Sequence, residues 1–321
     1  RVLATRGNLN NHIGVPLTLL EMNAEHELAI FELGANHVGE IAQLASWVKP
    51  DVALITQAGP AHIEGFGSIE KVAEAKGEIY LSLEHSGCAV INQDDAFARY
   101  WGDLIPTVKK IHFACDQKAL VRASEIVVGE KVSFRLHLGD DSAVIKLALL
   151  GAHNVENALA AAAAASAVGI GIDDICCGLE ATSSVDGRLS SKQSDSGALI
   201  INDAYNANPH SVRAAIDTLC SIKGYQQRII VLGDMLELGD RAERWHRNLG
   251  EYARQQGVDF LFSYGHLARQ FSLAFGSSAR HFEDREALRE ALDECLDARS
   301  VVLVKGSHSL GLEQVALKLE G

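Results

Sequence analysis

The chain has 321 residues, enough for two domains of ordinary size, and at 47% hydrophobic it can bury real cores. Its formal net charge of -13 excludes a general nucleic-acid binder, which would need a basic face for phosphates. No apolar run reaches membrane-spanning length, since the Ala-rich stretch from Ala158 to Val168 is short and followed by Gly169, and no signal peptide is read.

The chain opens at Arg1 in a polar, Asn-rich segment that reads as the interior of a longer protein. Residues 1–16 (RVLATRGNLNNHIGVP) lack helical or strand periodicity, and their asparagines are turn residues by default, with ligand contacts as the alternative. Leu28 to Leu33 (LAIFEL) reads as a short buried strand with Glu32 near its carboxyl end. That is where α/β proteins place functional groups, although a carboxylate capping the next helix is the plainer reading. Helix is expected from Gly39 to Val48 and strand from Val52 to Thr56.

A Gly/Pro loop carrying His62 and Glu64 then leads into a helix from about Ser68 to Leu83. Ser68 is a good N-cap, without a capping box because Lys71 stands at the third helical position. Ile69, Val72, Ala73, Ile79, Tyr80 and Leu83 recur at helical spacing, and Lys76 falls on that same face. A lysine aimed inward must lose its proton, find a partner or be modified, unless its stem packs while its head reaches water. The pattern alone favours the packed stem, while the His62 loop upstream shifts the balance towards an ion site.

The alternation continues with strand 88–92, helix near 95–104 and strand near 109–114, which implies βαβ units and a parallel sheet. Three segments, Leu120 to Val128, Val132 to Leu138 and Ala143 to Leu149, then read as an antiparallel patch appended to that sheet. Gly151 to Val168 is a strong helix with a polar start, HNVEN. Its Asn154 and Asn157 offer amide hydrogen bonds to a base or backbone, or else His153 and Asn154 merely cap the helix. A second helix follows at about Asp173 to Ala181, and the polar stretch Ser183 to Ser196 is the expected domain boundary. Arg188 within it either clamps a phosphate or is a solvated linker residue.

Beyond it the alternation restarts: strand 198–202, helix 209–222, strand 228–233, helix 242–256, strand 259–263, helix 266–274, strand near 279–282, helix 284–297, strand 300–304 and helix 310–319. The fold class is therefore α/β, with two doubly wound, mostly parallel-sheet domains, the second Rossmann-like. Three polar segments follow apolar strands there: Asn202 to Pro209 (NDAYNANP), Gly233 to Gly239 (GDMLELG) and Lys305 to Ser309 (KGSHS). Open α/β sheets bind ligands at the carboxyl ends of their strands, so the conjunction marks the ligand edge. Six cysteines, at 88, 115, 176, 177, 220 and 295, form no CxxC pair, and most of them sit in apolar segments and read as small buried hydrophobes in a reducing compartment, not zinc ligands. No GxGxxG turn, GxxxxGK[ST] loop or GxSxG elbow occurs.

Nine ordered motifs resemble those of the Mur ligases, ATP-dependent amide-forming enzymes of peptidoglycan precursor synthesis. They are GNLNNHIGVP at 7–16, ELGANHVGEI at 32–41, AHIEGFGS at 61–68, EAKGEI at 74–79, HNVENALAA at 153–161, DGRL at 186–189, NDAYNANP at 202–209, GDMLELG at 233–239 and VKGSHS at 304–309. Within the family the chain is similar to the branch that adds D-alanyl-D-alanine to a UDP-N-acetylmuramoyl-tripeptide. The DNPR-type motif of the meso-diaminopimelate-adding branch is not found.

The resemblance implies a central ATP-binding domain over 1–186, lacking its phosphate loop, and a C-terminal Rossmann-like domain over 187–321. The family's N-terminal UDP-binding domain is absent from this chain. It implies ATP and magnesium as cofactors, a cytoplasmic setting and a monomer. Glu32 and His62 resemble the family's magnesium ligands, and Lys76 resembles its carbamylated lysine, whose carbamate helps hold a second magnesium. Asn154 and Asn157 resemble the adenine-side residues, and Arg188 the arginine that meets the phosphates when the domains close. Asp203 resembles the acid near the ribose or ATP, with Tyr205 and Asn206 beside it. Lys305 and Ser307 are candidates for the muramyl-peptide or the incoming amine, and Asn10 and Asn11 for the muramyl substrate. The implied catalytic set is Lys76, His62 and Arg188, and a hinge is implied at 183–190. The rivals are a sister ligase adding a single amino acid, a non-catalytic binding module on the same fold and a nicotinamide-dependent enzyme, the last disfavoured by the missing glycine fingerprint.

Overall fold

The computed structural model describes residues 1–59, 63–129 and 131–320, with Ile63 and Glu64 as backbone only. His62 and the side chain of Glu64 therefore lie outside the described residues. The protein is α/β, and the described residues form two six-stranded sheets and one two-stranded sheet. No helix among the described residues is long and apolar enough to cross a membrane.

The chain begins with β1 (Val2–Ala4), α1 (Gly14–Leu20) and β2 (Leu28–Ile30). The first two elements were not legible as periodicity, because each is too short to show one. β1 pairs in parallel with β2. The expected buried strand at 28–33 is corrected here: strand structure ends at Ile30 and all three of its residues are exposed. Its ladder partner is β1, outside both large sheets, so its apolar residues find no second layer to cover them.

Next come α2 (Glu40–Val48), β3 (Val52–Ile55), α3 (Ile63–Phe66), α4 (Ile69–Leu81), β4 (Cys88–Asn92), α5 (Ala98–Leu104) and β5 (Lys109–Ala114). β3, β4 and β5 are parallel neighbours. The Ser68 hydroxyl caps α4 by accepting the Lys71 N–H at 3.3 Å. Tyr80 on α4 is fully buried; its hydroxyl donates to Val90 O at 2.7 Å and accepts from Ile55 N–H at 3.2 Å, tying two strands to the helix. Trp101 on α5 donates to Ala73 O at 3.0 Å, and the two helices share a core with the inner faces of β3 and β4.

β6 (Val121–Val127), β7 (Val132–Leu138) and β8 (Asp141–Leu147) extend the sheet in the order β3-β4-β5-β6-β7-β8. β6 runs parallel to β5 through the pairs Phe113–Val121 and Ala114–Arg122, which is how the three-strand patch joins the parallel sheet. β7 and β8 are joined by two residues, a connection that only antiparallel neighbours allow. α6 (His153–Ala167) and α7 (Ile172–Glu180) follow.

The remaining elements are β9 (Ser190–Gln193), β10 (Leu199–Asn202), α8 (Pro209–Ser221), β11 (Gln227–Gly233), α9 (Ala242–Gln255), β12 (Phe260–Tyr264), α10 (Arg269–Phe275), β13 (Ala279–Phe282), α11 (Arg285–Asp293), β14 (Ser300–Lys305) and α12 (Glu313–Glu320). Their sheet runs β13-β12-β11-β14-β10-β9, parallel except for β9, which pairs antiparallel with β10. β9 lies inside the stretch expected to be a linker. Its sequence, SSKQ, is polar on both faces because it is an edge strand, so it shows no hydrophobic alternation.

Contacts divide the chain into two compact units: Arg1–Ala123 with Leu136–Ser142 and Glu156–Ile175, and Ser124–Arg135 with Ala143–Val155 and Cys176–Gly321. In the second, α8, α9 and α10 pack on one face of the sheet through Ile216, Leu249 and Phe271. α11 and α12 pack on the other through Leu288, Leu292 and Val315, which makes it doubly wound.

Candidate functional site

Within the first unit, the Glu32 carboxylate is exposed and oriented by the Asn10 amide, which donates to Oε1 at 2.7 Å. The Glu32 N–H donates to Thr5 Oγ1 at 3.0 Å, and Asn10 O accepts the Gly34 N–H at 2.8 Å. A side chain at Gly34 would meet Asn10 at 2.9 Å, so the glycine permits this close approach. Asn11 turns its amide oxygen inward, accepting the N–H groups of Ile13 and Gly14 at 3.0 Å each at the start of α1. The structure thus joins Asn10 to Glu32 and gives Asn11 a capping role.

Lys76 sits half-buried on α4, and burial pushes its ammonium below the usual lysine range, against the opposing pull of Asp95. Among the described residues its ammonium makes no hydrogen bond or ion pair. Asp95 was not singled out from the sequence. Its carboxylate accepts Ala58 N–H at 2.7 Å and Phe97 N–H at 2.8 Å, so it ties the segment after β3 to the segment after β4. Asp94 accepts three backbone N–H groups, from Cys115, Asp116 and Gln117, at 2.6, 3.0 and 3.1 Å. Burial, with Asp94, Asp116 and Asp95 nearby, raises the Glu156 carboxyl above the usual range. Burial, with Glu156, Asp94 and Asp116 nearby, pushes the Cys115 thiol up to about 12, which leaves it unreactive.

In the second unit, parallel pairing sets β14 between β10 and β11, so the three polar strand-end segments lie side by side. The sequence could name the three ends but not their adjacency. Asp203 and Tyr205 follow β10, and the DGRL segment folds against them. Tyr205 N–H donates to Gly187 O at 3.0 Å. Gly187 and Leu189 take φ of 74° and 52°, a left-handed pair flanking Arg188. Leu189 costs about 1 kcal/mol there, offset by burial of its side chain in the core against α8. The result places the exposed Arg188 guanidinium carbon 4.2 Å from the centroid of the Tyr205 ring. His308 lies 5.7 Å from the same ring.

Lys305, at the end of β14, is 3% exposed and donates to Asp203 Oδ2 at 2.7 Å and Asn206 O at 2.8 Å. Ser307 links two loops: its N–H donates to Asp234 O at 3.1 Å and its hydroxyl accepts Leu236 N–H at 3.1 Å. The Asp234 carboxylate accepts Ala268 N–H at 2.6 Å. His246, fully buried on α9, accepts Met235 N–H at 3.0 Å through Nε2, which leaves Nδ1–H to donate to Ala242 O at 2.7 Å. His246 was also missed from the sequence, since a histidine in a helical pattern carries no local sign of its partner.

Asn154 donates from Nδ2 to Leu150 O at 2.7 Å at the start of α6. Beside it, burial holds the His153 imidazole below the usual histidine range, with Asp203 opposing and Lys305 and His210 reinforcing the shift. Asn157 is exposed on α6.

Two family models match the chain: "Mur ligase middle domain" over residues 1–165 and "Mur ligase, glutamate ligase domain" over residues 187–308. The chain is 40% identical over 322 residues to the UDP-N-acetylmuramoyl-tripeptide–D-alanyl-D-alanine ligase of Escherichia coli K12, covering 99% of this chain and 71% of that protein. Among solved structures, it is similar to MurF from Acinetobacter baumannii, with a TM-score of 0.93 at 35% identity, covering 99% of this chain and 70% of that one. It is also similar to the MurF ligase of Thermotoga maritima in complex with ADP, with a TM-score of 0.89 at 26% identity, covering 99% and 73%.

Proposed function

The chain belongs to the Mur ligase family, and from that premise we infer that it adds D-alanyl-D-alanine to a UDP-N-acetylmuramoyl-tripeptide in an ATP-dependent ligation of peptidoglycan precursor synthesis. The observation that carries this is the near-complete match to relatives named for that reaction, in sequence and in fold. A ligase for a single amino acid and a non-catalytic module are not favoured, because the match to those relatives runs through both units.

The substrate carboxylate attacks the γ-phosphorus of ATP, ADP leaves and an acyl phosphate forms. The amine of D-alanyl-D-alanine then attacks the acyl carbon, loses a proton and expels phosphate, leaving an amide. Both partners of the first step are anionic, so the site must supply positive charge and orientation. Arg188 supplies a permanent cation for the phosphates, held at a fixed angle by the Tyr205 ring. Asp203, Tyr205 and Asn206 face the nucleotide, with Asn154 and Asn157 on the adenine side. Asn10 and Asn11 lie on the muramyl side, and Ser307 on the side of the muramyl-peptide or the incoming amine.

Magnesium, when bound, screens the charge of the triphosphate and the attacking carboxylate. The donor chemistry fits that ion: Glu32 offers a carboxylate already oriented by Asn10, and Lys76 would offer carbamate oxygens. Magnesium takes hard oxygen donors and keeps several waters, so one or two such groups suffice. Burial favours a neutral Lys76 amine, the form that adds to carbon dioxide. His62 is a further candidate ligand, outside the described residues.

We keep the domain boundary at 186/187, supported by the second family match beginning at residue 187. A reducing, cytoplasmic setting agrees with the six free cysteines. The test is phosphate release by the full-length protein with ATP, magnesium and the UDP-tripeptide. Release that depends on D-alanyl-D-alanine is expected. Release with single amino acids instead would move the enzyme to a sister activity.

A further inference from the structure

Lys305 is the best-buried cation at the strand ends of the second sheet, with 3% of its side chain exposed. An ammonium has three protons, and three acceptors surround this one: Asp203 Oδ2 at 2.7 Å, Asn206 O at 2.8 Å and Asp203 O at 3.4 Å. All three belong to one short loop, and they take up the donor capacity that a substrate contact would require. The anchored residues bracket Tyr205, whose ring carries Arg188 on a cation–π contact at 4.2 Å and has His308 at 5.7 Å.

We propose that Lys305 is a positioning residue: it fixes the Asp203–Asn206 loop at both ends, and so sets the Asp203 carboxylate and the Tyr205 ring on which Arg188 rests, without touching substrate itself. This rests on the reading of Asp203 and Arg188 as nucleotide-side groups. Register brings the two groups together. Asn202 of β10 pairs with Val304 of β14, so Asp203, the first residue beyond β10, lies level with Lys305, the last residue of β14. A buried pair of this kind adds little net stability compared with apolar residues of the same volume, so its use here is geometric.

The experiment compares Lys305→Met, Asp203→Asn and the double variant in the full-length enzyme. KM for ATP, for the UDP-tripeptide and for D-alanyl-D-alanine are measured, with the thermal midpoint of each protein. Lys305→Met is expected to raise KM for ATP about tenfold while the other two constants stay within about twofold. The double variant is expected to fall below Asp203→Asn in kcat/KM for ATP by less than Lys305→Met falls below the wild type, because part of what Lys305 does runs through Asp203 and the rest through Asn206. It leaves no unpaired buried charge, so it folds even if Lys305→Met alone does not, and its comparison with Asp203→Asn then decides. A rise in KM for the dipeptide or the tripeptide, or losses that multiply in the double variant, would overturn the proposal. A lower midpoint with no selective effect on ATP would overturn it too, since that is a structural role alone. If the wild-type enzyme shows no ligation, the proposed function fails instead. The clamp is then judged on the thermal midpoints, where absence of coupling between residues 203 and 305 would overturn it.

Discussion

The guanidinium of Arg188 lies over the ring of Tyr205, 4.2 Å from carbon to centroid, and the Tyr205 N–H closes the contact by donating to Gly187 O. The arginine is exposed, so the ring and the left-handed residues on either side of it are what fix its direction.

Tyr205→Phe keeps the ring face and is expected to leave KM for ATP within about twofold. Tyr205→Ala removes a contact of about 0.5–1 kcal/mol for an exposed pair and is expected to raise that KM about two- to fivefold. Steady-state kinetics at saturating UDP-tripeptide check this. Equal effects of the two substitutions would sink the cation–π account.

Lys76→Ala is expected to lower ligation by at least the 10–100-fold typical of groups one shell out from a metal. A carbamate on Lys76 is expected to give a labelled carbonyl resonance in ¹³C NMR after equilibration with ¹³CO₂. Its presence in the wild type and absence in Lys76→Ala is the check.

The stability of the second unit should fall on acidification below about pH 6.5. Burial lowers the pKa of His246, with the Ala242 carbonyl and Asp234 opposing. Between its folded pKa and the ordinary value the unfolded chain binds more protons, so stability rises with pH through that window and is flat above it. His153 and His281 are lowered by burial too and add to the slope. His246→Gln, which does not titrate, should give a shallower dependence in denaturant midpoints measured between pH 5 and 8. His246→Ala should in addition cost about 1–3 kcal/mol at pH 7.5 by stranding the Met235 N–H.

Gly250→Ala should destabilise the same unit. The added Cβ would stand 2.4 Å from the backbone oxygen of Phe271, so α9 and α10 would have to separate. Overpacking of this kind costs about 1–3 kcal/mol, a drop of several degrees in the thermal midpoint. An unchanged midpoint would show that the helices slide apart freely.

The regular elements of both sheets were legible because their residues carry their own periodicity. The Ile69–Val72–Ile79–Tyr80 spacing marks α4, and the apolar runs at 199–202, 227–233 and 300–305 mark central parallel strands. β9 was hidden because an edge strand can be polar throughout, and β2 was over-extended because an apolar run does not reveal whether a second layer covers it. Asp95 and His246 were missed because their partners, Ala58 N–H and Met235 N–H, are backbone groups that a sequence cannot point to.

The sequence by itself determined the alternation of strands and helices, the family and the inventory of polar strand ends, since all of these are local patterns in order along the chain. Only the tertiary structure decided which ends are neighbours. Lys305 and Asp203 stand 102 residues apart and meet because β14 inserts between β10 and β11. Strand order is chosen by the packing of whole layers, and no local run of residues encodes it.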